Sequence, residues 1–127
     1  MSAAPRPPAP HVLVVEDSAL AAAALCTLLE QTGHKVSLAG TVADAVRVAA
    51  DDPPDVMLLD LTLPDGDGLQ VLGQLAARGR APRFTAALTG HEDSATARRC
   101  HEAGCQAVLV KPVPTKELLR KVRAWLG

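Results

Sequence analysis

Five short apolar runs, evenly spaced and separated by amphipathic stretches, constrain this chain more than any other feature of its sequence. His11–Val15, Lys35–Ala39, Val56–Leu59, Phe84–Leu88 and Ala107–Val110 are rich in β-branched residues and too short for helices. Several are apolar at successive positions, as strands covered on both faces must be. The runs begin about every 21–28 residues, which is the room needed by one strand, one helix and two short loops.

The intervening stretches carry helical periodicity. Leu20, Ala24, Leu25, Leu28 and Leu29 share one stripe of a first helix that Gly33 can end. Thr41 and Asp44 resemble a capping pair, with Val42, Ala45, Val46 and Ala49 forming the apolar face behind them. Leu69, Leu72, Leu75 and Ala76 define a third helix. Ala95, Arg99, Cys100 and Ala103 lie on a weaker fourth that ends at Gly104. Leu118, Leu119, Val122 and Leu126 make the fifth. Five strand–helix units imply a parallel sheet with right-handed crossovers and helices on both faces. A chain of 127 residues falls short of the roughly 250 usual for an eight-stranded barrel, so an open, doubly wound α/β sheet is expected. Residues 1–10, crowded with Pro and Ala, read as a flexible arm or linker before a domain at 11–127.

Composition narrows the partners. The net charge is −1 and aromatics make up 2% of the residues. Neither a positive field nor stacking platforms are present, so no nucleic acid is expected as a partner. No apolar run reaches the length of about 18–20 residues that spans a bilayer, so no membrane is expected either. Three cysteines without a C-x-x-C pair suit a reduced, cytoplasmic setting.

In open sheets of this kind ligands gather beyond the carboxyl ends of the strands. Glu16 and Asp17 follow the first strand there, Asp60 the third, Thr89 the fourth and Lys111 the fifth. Adjacent carboxylates repel by about 4 kcal/mol near 4 Å at an effective dielectric of about 20. One lysine cannot balance three of them. A hard divalent cation with oxygen ligands can, and Mg²⁺ suits an open site with few carboxylates. Carboxylate, metal, Lys and Thr together are equipped to handle a phosphoryl group. Asp60, alone at its strand end, is then the candidate nucleophile, with Glu16 and Asp17 left to hold the metal.

At this point the ordered set LVVED (Leu13–Asp17), DVMLLDL (Asp55–Leu61) with Pro64, Asp65, Gly66 and Gly68, LTG (Leu88–Gly90) and VKP (Val110–Pro112) resembles the receiver domain of two-component response regulators across residues 11–127. The resemblance implies a flavodoxin-like sheet of strand order 2-1-3-4-5. It implies that Asp60 is the phospho-acceptor, served by a histidine kinase or phosphotransfer protein. It further implies Mg²⁺ (or Mn²⁺) held by Asp17 and Asp60, with Glu16 acting through water and the Thr62 backbone carbonyl completing the set. Lys111 would pair with phosphoryl oxygens, before a cis Pro112. Thr89 would move its hydroxyl onto the phosphoryl group, for which Gly90 leaves room. Thr62 and His91 fall where related proteins tune the lifetime of the acyl phosphate. An output partner is expected on the fourth helix, fifth strand and fifth helix. One departure stands out, because Val108 occupies the position usually held by Phe or Tyr.

Other readings are weaker. A flavin carrier of this topology needs phosphate-cradling donors in its first loop, where Glu16 and Asp17 stand instead. An Asp-nucleophile phosphatase resembling the haloacid dehalogenases needs a second Asp at position 62, where the chain has Thr. A calcium loop beginning at Asp60 would need Glu at Val71. A zinc site from His91, Cys100, His101 and Cys105 lacks a second closely spaced pair.

Overall fold

The computed structural model describes residues 9–127, so most of the proposed arm, residues 1–8, lies outside the described residues. The chain runs β1 (His11–Val15), α1 (Ala19–Gln31), β2 (Lys35–Ala39), α2 (Val42–Asp51), β3 (Val56–Asp60), β4 (Thr62–Leu63), β5 (Gly66–Asp67), α3 (Leu69–Ala77), β6 (Thr85–Thr89), α4 (Ser94–Ala103), β7 (Ala107–Val110) and α5 (Thr115–Leu126). The five long strands form one parallel sheet in the order β2-β1-β3-β6-β7. Counted among themselves, they give the expected 2-1-3-4-5. The Pro10 carbonyl already accepts the Lys35 N–H at 2.9 Å, so backbone pairing begins one residue before β1.

Side-chain alternation along the strands builds two cores. Leu13, Val15, Met57, Leu59 and Ala87 face α2, α3 and Cys100 of α4. Val12, Val14, Val56, Leu58, Ala86 and Leu88 face Leu29 of α1 and Leu118 and Val122 of α5. β1 and β3 are buried at every position, which explains their continuous apolar character. Truncating Leu13 or Leu58 to Ala costs about 2–5 kcal/mol. At the edge of the second core, Phe84 stacks on Trp125 with centroids 4.8 Å apart.

Two helical faces differ from expectation. In α1 the inward residues are Ala22, Leu25 and Leu29, while Leu20 is 83% exposed and Ala24 is exposed too. The helix is apolar nearly all round, so its sequence does not fix the phase of the stripe. In α4 only Cys100 is buried, and Ala95 and Ala103 face solvent. α4 ends in Gly104 at φ +111°, whose N–H and that of Cys105 return to His101 and Cys100. That cap sets Cys105 beside Cys100, a close contact made at this kind of helix end. Burial pushes the Cys105 thiol up to about 12. Among the described residues no helix is long and apolar enough to cross a membrane.

Candidate functional site

Strand register assembles the site. Val15 pairs with Leu59 and Asp60 with Leu88, while Thr89 pairs with Val110. Glu16, Asp60, Thr89 and Lys111 therefore lie at or one residue past the ends of four adjacent strands. Asp60 and Thr89 are the last residues of their strands, one position further than the apolar runs suggest. Alternation then sorts them. Val14, Leu58 and Leu109 belong to the α1–α5 core, so Glu16, Asp60 and Lys111, two residues on, lean toward that side. Thr89 follows Ala87, which belongs to the opposite core.

The contacts agree with this sorting. Asp60 is only 6% exposed, and both of its oxygens are used. Oδ1 accepts the Thr62 N–H at 3.0 Å and Oδ2 accepts from Lys111 Nζ at 2.8 Å. The same ammonium reaches Glu16 Oε2 at 3.3 Å. Glu16 Oε1 accepts the Ser18 N–H at 3.2 Å. Lys111 is fixed at its root by its N–H on the Thr89 carbonyl at 2.7 Å, and its bond to Pro112 is cis. The Thr89 hydroxyl oxygen accepts the His91 N–H at 3.1 Å. A Cβ on Gly90 would meet no atom within 4 Å, so the space beside it is open.

Glu16, Asp17 and Asp60 each place a carboxylate oxygen within 4.8 Å of the others. Among the described residues this is the one group of three or more potential metal ligands so arranged. Its donors are all oxygens, which favours a hard cation over zinc or copper. Burial pushes the Glu16 carboxyl above its ordinary value, and the neighbouring Asp60 adds to the rise. Burial also opposes the charge on Lys111, but its hydrogen bond to Asp60 and the attraction of both carboxylates outweigh this and raise its pKa. The cluster thus carries more negative charge than one lysine neutralises, and a divalent cation fits it. Asp17 does not cap α1. Ser18 does, through its Oγ on the Ala21 N–H. Thr89 caps no helix either, since Asp93 caps α4.

Sequence reasoning missed the β4–β5 hairpin that follows Asp60. In it Thr62 pairs with Asp67 and Leu63 with Gly66. Two further carboxylates in this hairpin have partners of their own. Asp65 accepts the N–H groups of Val42 and Ala43 at 2.7 and 3.1 Å. Asp67 accepts the Leu69 N–H at 2.9 Å and pairs with Arg99 of α4. The available signal was Asp67 standing two residues before an apolar helical stripe, a common capping position. Gly68 has a steric reason to be glycine. A Cβ there would fall 2.1 Å from the Asp60 carbonyl oxygen.

The response regulator receiver domain family matches residues 12–123. The transcriptional regulatory protein KdpE of Mycobacterium tuberculosis is 39% identical over 113 residues, covering 89% of this chain and 49% of KdpE, so the chain spans about half the length of that relative. The receiver domain of the putative Luxo repressor of Vibrio parahaemolyticus superposes with a TM-score of 0.84 at 27% identity, over 93% of this chain and 90% of that one. The receiver domain of the sensor histidine kinase PA1611 from Pseudomonas aeruginosa, with magnesium coordinated in its active-site cleft, gives 0.82 at 28% identity, over 94% and 98%. Open-sheet topology, the acidic rim with its lysine and this continuous match lead to one conclusion: the chain belongs to the receiver domain family of two-component response regulators, the phospho-accepting switches of that signalling system.

Proposed function

We propose that Asp60 takes a phosphoryl group from the phosphohistidine of a histidine kinase or phosphotransfer protein. The observation that carries this is the gathering of Glu16, Asp17 and Asp60 within 4.8 Å, with Lys111 bridging two of them. Asp17 and Asp60 would hold Mg²⁺ directly, Glu16 would act through water, and the Thr62 carbonyl would complete the protein's share. The bound ion would neutralise carboxylate and phosphoryl oxygens.

This chain's own residues do the rest. Each Asp60 oxygen accepts one hydrogen bond and keeps a further lone pair with which to attack phosphorus. As the new P–O bond forms, the P–N bond breaks and its electron pair stays with the imidazole nitrogen. Lys111 is already 2.8 Å from Asp60 Oδ2 and would transfer its hydrogen bond to a phosphoryl oxygen. Thr89 would leave the His91 N–H and turn toward the same group. Attack of water on phosphorus reverses the state, returning Asp60 and inorganic phosphate. The chain acts in this way on itself and not on a separate substrate. The output partner would read the face made by α4, β7 and α5, where Val108, Ala97, Lys121 and Trp125 border an open hollow. The setting would be the cytoplasm, with which three free thiols agree.

Incubation with Mg²⁺ and acetyl phosphate or phosphoramidate, followed by intact-mass measurement, tests the reading. One phosphoryl group per chain is expected, lost in Asp60→Asn and in the presence of EDTA. Undiminished labelling of Asp60→Asn would assign the acceptor elsewhere.

A further inference from the structure

The hairpin after Asp60 is tied down at its tip as well as its base. Its base is closed by the Gly68 N–H on the Leu61 carbonyl at 2.9 Å. Its tip, at Pro64 and Asp65, reaches back over twenty residues to the start of α2. There the Asp65 carboxylate spans the first two amides of that helix, Val42 and Ala43. These amides have no partner within the helix, and a carboxylate at a helix N-terminus gains from both hydrogen bonding and the helix dipole. α2 has a second cap of its own. The Thr41 hydroxyl accepts the Asp44 N–H at 3.0 Å. Asp65 therefore adds to α2 what a neighbouring residue already supplies in part, whereas among the described residues it is the one side-chain tie at the hairpin tip. Asp65 is exposed, yet those two N–H groups, Val42 first, hold its carboxyl below its ordinary value.

Thr62 lies in this hairpin, with its N–H on Asp60 Oδ1. We propose that Asp65 is a positioning residue for the cation and phosphoryl site: by pinning the hairpin tip to α2, it holds the Thr62 peptide in place beside Asp60. The inference rests on the proposed role of the Thr62 carbonyl and extends it to a residue that touches neither cation nor phosphoryl group.

The test compares the wild-type chain with Asp65→Ala, Asp65→Asn and Thr41→Ala by Mg²⁺ titration calorimetry and by phosphorylation rate against Mg²⁺ concentration with phosphoramidate. Asp65→Ala should weaken Mg²⁺ binding about 10-fold, the size of effect seen for groups that support metal ligands. Its phosphorylation rate at saturating Mg²⁺ should return close to that of the wild type. Asp65→Asn keeps one acceptor and should recover part of the affinity, and it carries the test if Asp65→Ala fails to fold. Thr41→Ala removes the other cap of the same helix and should leave Mg²⁺ affinity unchanged. Wild-type affinity in both Asp65 variants overturns the inference, as does an equal loss in Thr41→Ala, which would make the effect general loosening of α2. A wild-type chain that neither binds Mg²⁺ nor takes up a phosphoryl group would instead overturn the parent reading, and the inference with it.

Discussion

The two ends of the sheet each hold a lysine against an aspartate, and they behave in opposite ways. At the carboxyl end Lys111 sits 2.8 Å from Asp60, whose side chain is 8% exposed, with Glu16 and Asp17 crowding in. At the amino end Lys35 sits 2.5 Å from Asp52, whose side chain is 47% exposed. Beside that pair the buried His11 ring donates or accepts a hydrogen bond with Ser37 at 2.7 Å, and the His11 N–H reaches Asp55 at 2.8 Å. The hydrogen bond from Lys35 holds the Asp52 carboxyl below its ordinary value, whereas burial raises Glu16. A one-to-one pair open to water is close to neutral for stability. Two largely buried carboxylates share one ammonium, and exposed Asp17 lies beside them, which leaves charge that something else must answer. Charge count and solvent, rather than the presence of an ion pair, separate the two ends.

The strongest way to break this contrast is Gly68→Ala. Its Cβ would collide with the Asp60 carbonyl, so we expect a loss of about 3 kcal/mol in urea unfolding and no phosphoryl uptake. Gly73, within α3, is the counterpart, because a Cβ added there would meet nothing within 4 Å. Gly73→Ala should add about 0.5–1 kcal/mol and leave uptake intact. Equal effects at the two glycines would show that the close approach to Asp60 is unimportant.

Exchanging the lysines comes next. Lys111→Met leaves two shielded carboxylates without their cation, and phosphoryl uptake should slow about 100-fold, as when a charge-stabilising donor is removed from a reaction centre. Lys35→Met should cost under about 1 kcal/mol and leave uptake at the wild-type rate. Rate measurements that slow equally in both variants would erase the distinction between the two ends.

The smallest effects concern pH, and their signs differ. The Asp52 carboxyl is lowered from 3.8. Its stabilising contribution is therefore complete above that value and disappears as pH falls through the lower folded value. Asp52→Asn should unfold at a slightly lower temperature than wild type near neutrality, with the gap closing as pH falls below 3.8 through the lowered folded value. Glu16 is raised from 4.5, so its ionised form costs stability at neutral pH and the cost fades as pH falls through the raised value. Glu16→Gln should therefore melt above wild type near neutrality and lose that advantage in acid. Melting curves against pH with the same sign for both variants would contradict the comparison.

Most of the architecture is legible because the strands are buried on both faces and advertise it in Val, Leu and Met. The rim is legible for a related reason: Glu16, Asp60 and Lys111 are polar residues directly after apolar runs, where topology gathers strand ends. α1 misleads because its second and sixth positions, Leu20 and Ala24, are as apolar as those that face the core. α4 misleads because a single buried residue, Cys100, sets no period. The β4–β5 hairpin escapes altogether, since two-residue strands have no periodicity to detect. The roles of Asp65 and Asp67 depend on contacts with Val42 and Arg99, which only the folded chain brings near.

Pro10 and Leu126 border the same hollow as His11 and Lys35, beneath the sheet. Entry to and exit from the fold are thus side by side, and about 16 Å of strand separates them from Asp60. Anything spliced to either side would hang away from an incoming donor. A short bridge between these two points, with a new opening in the chain at Gly79, should give a circular permutant whose acidic rim is undisturbed.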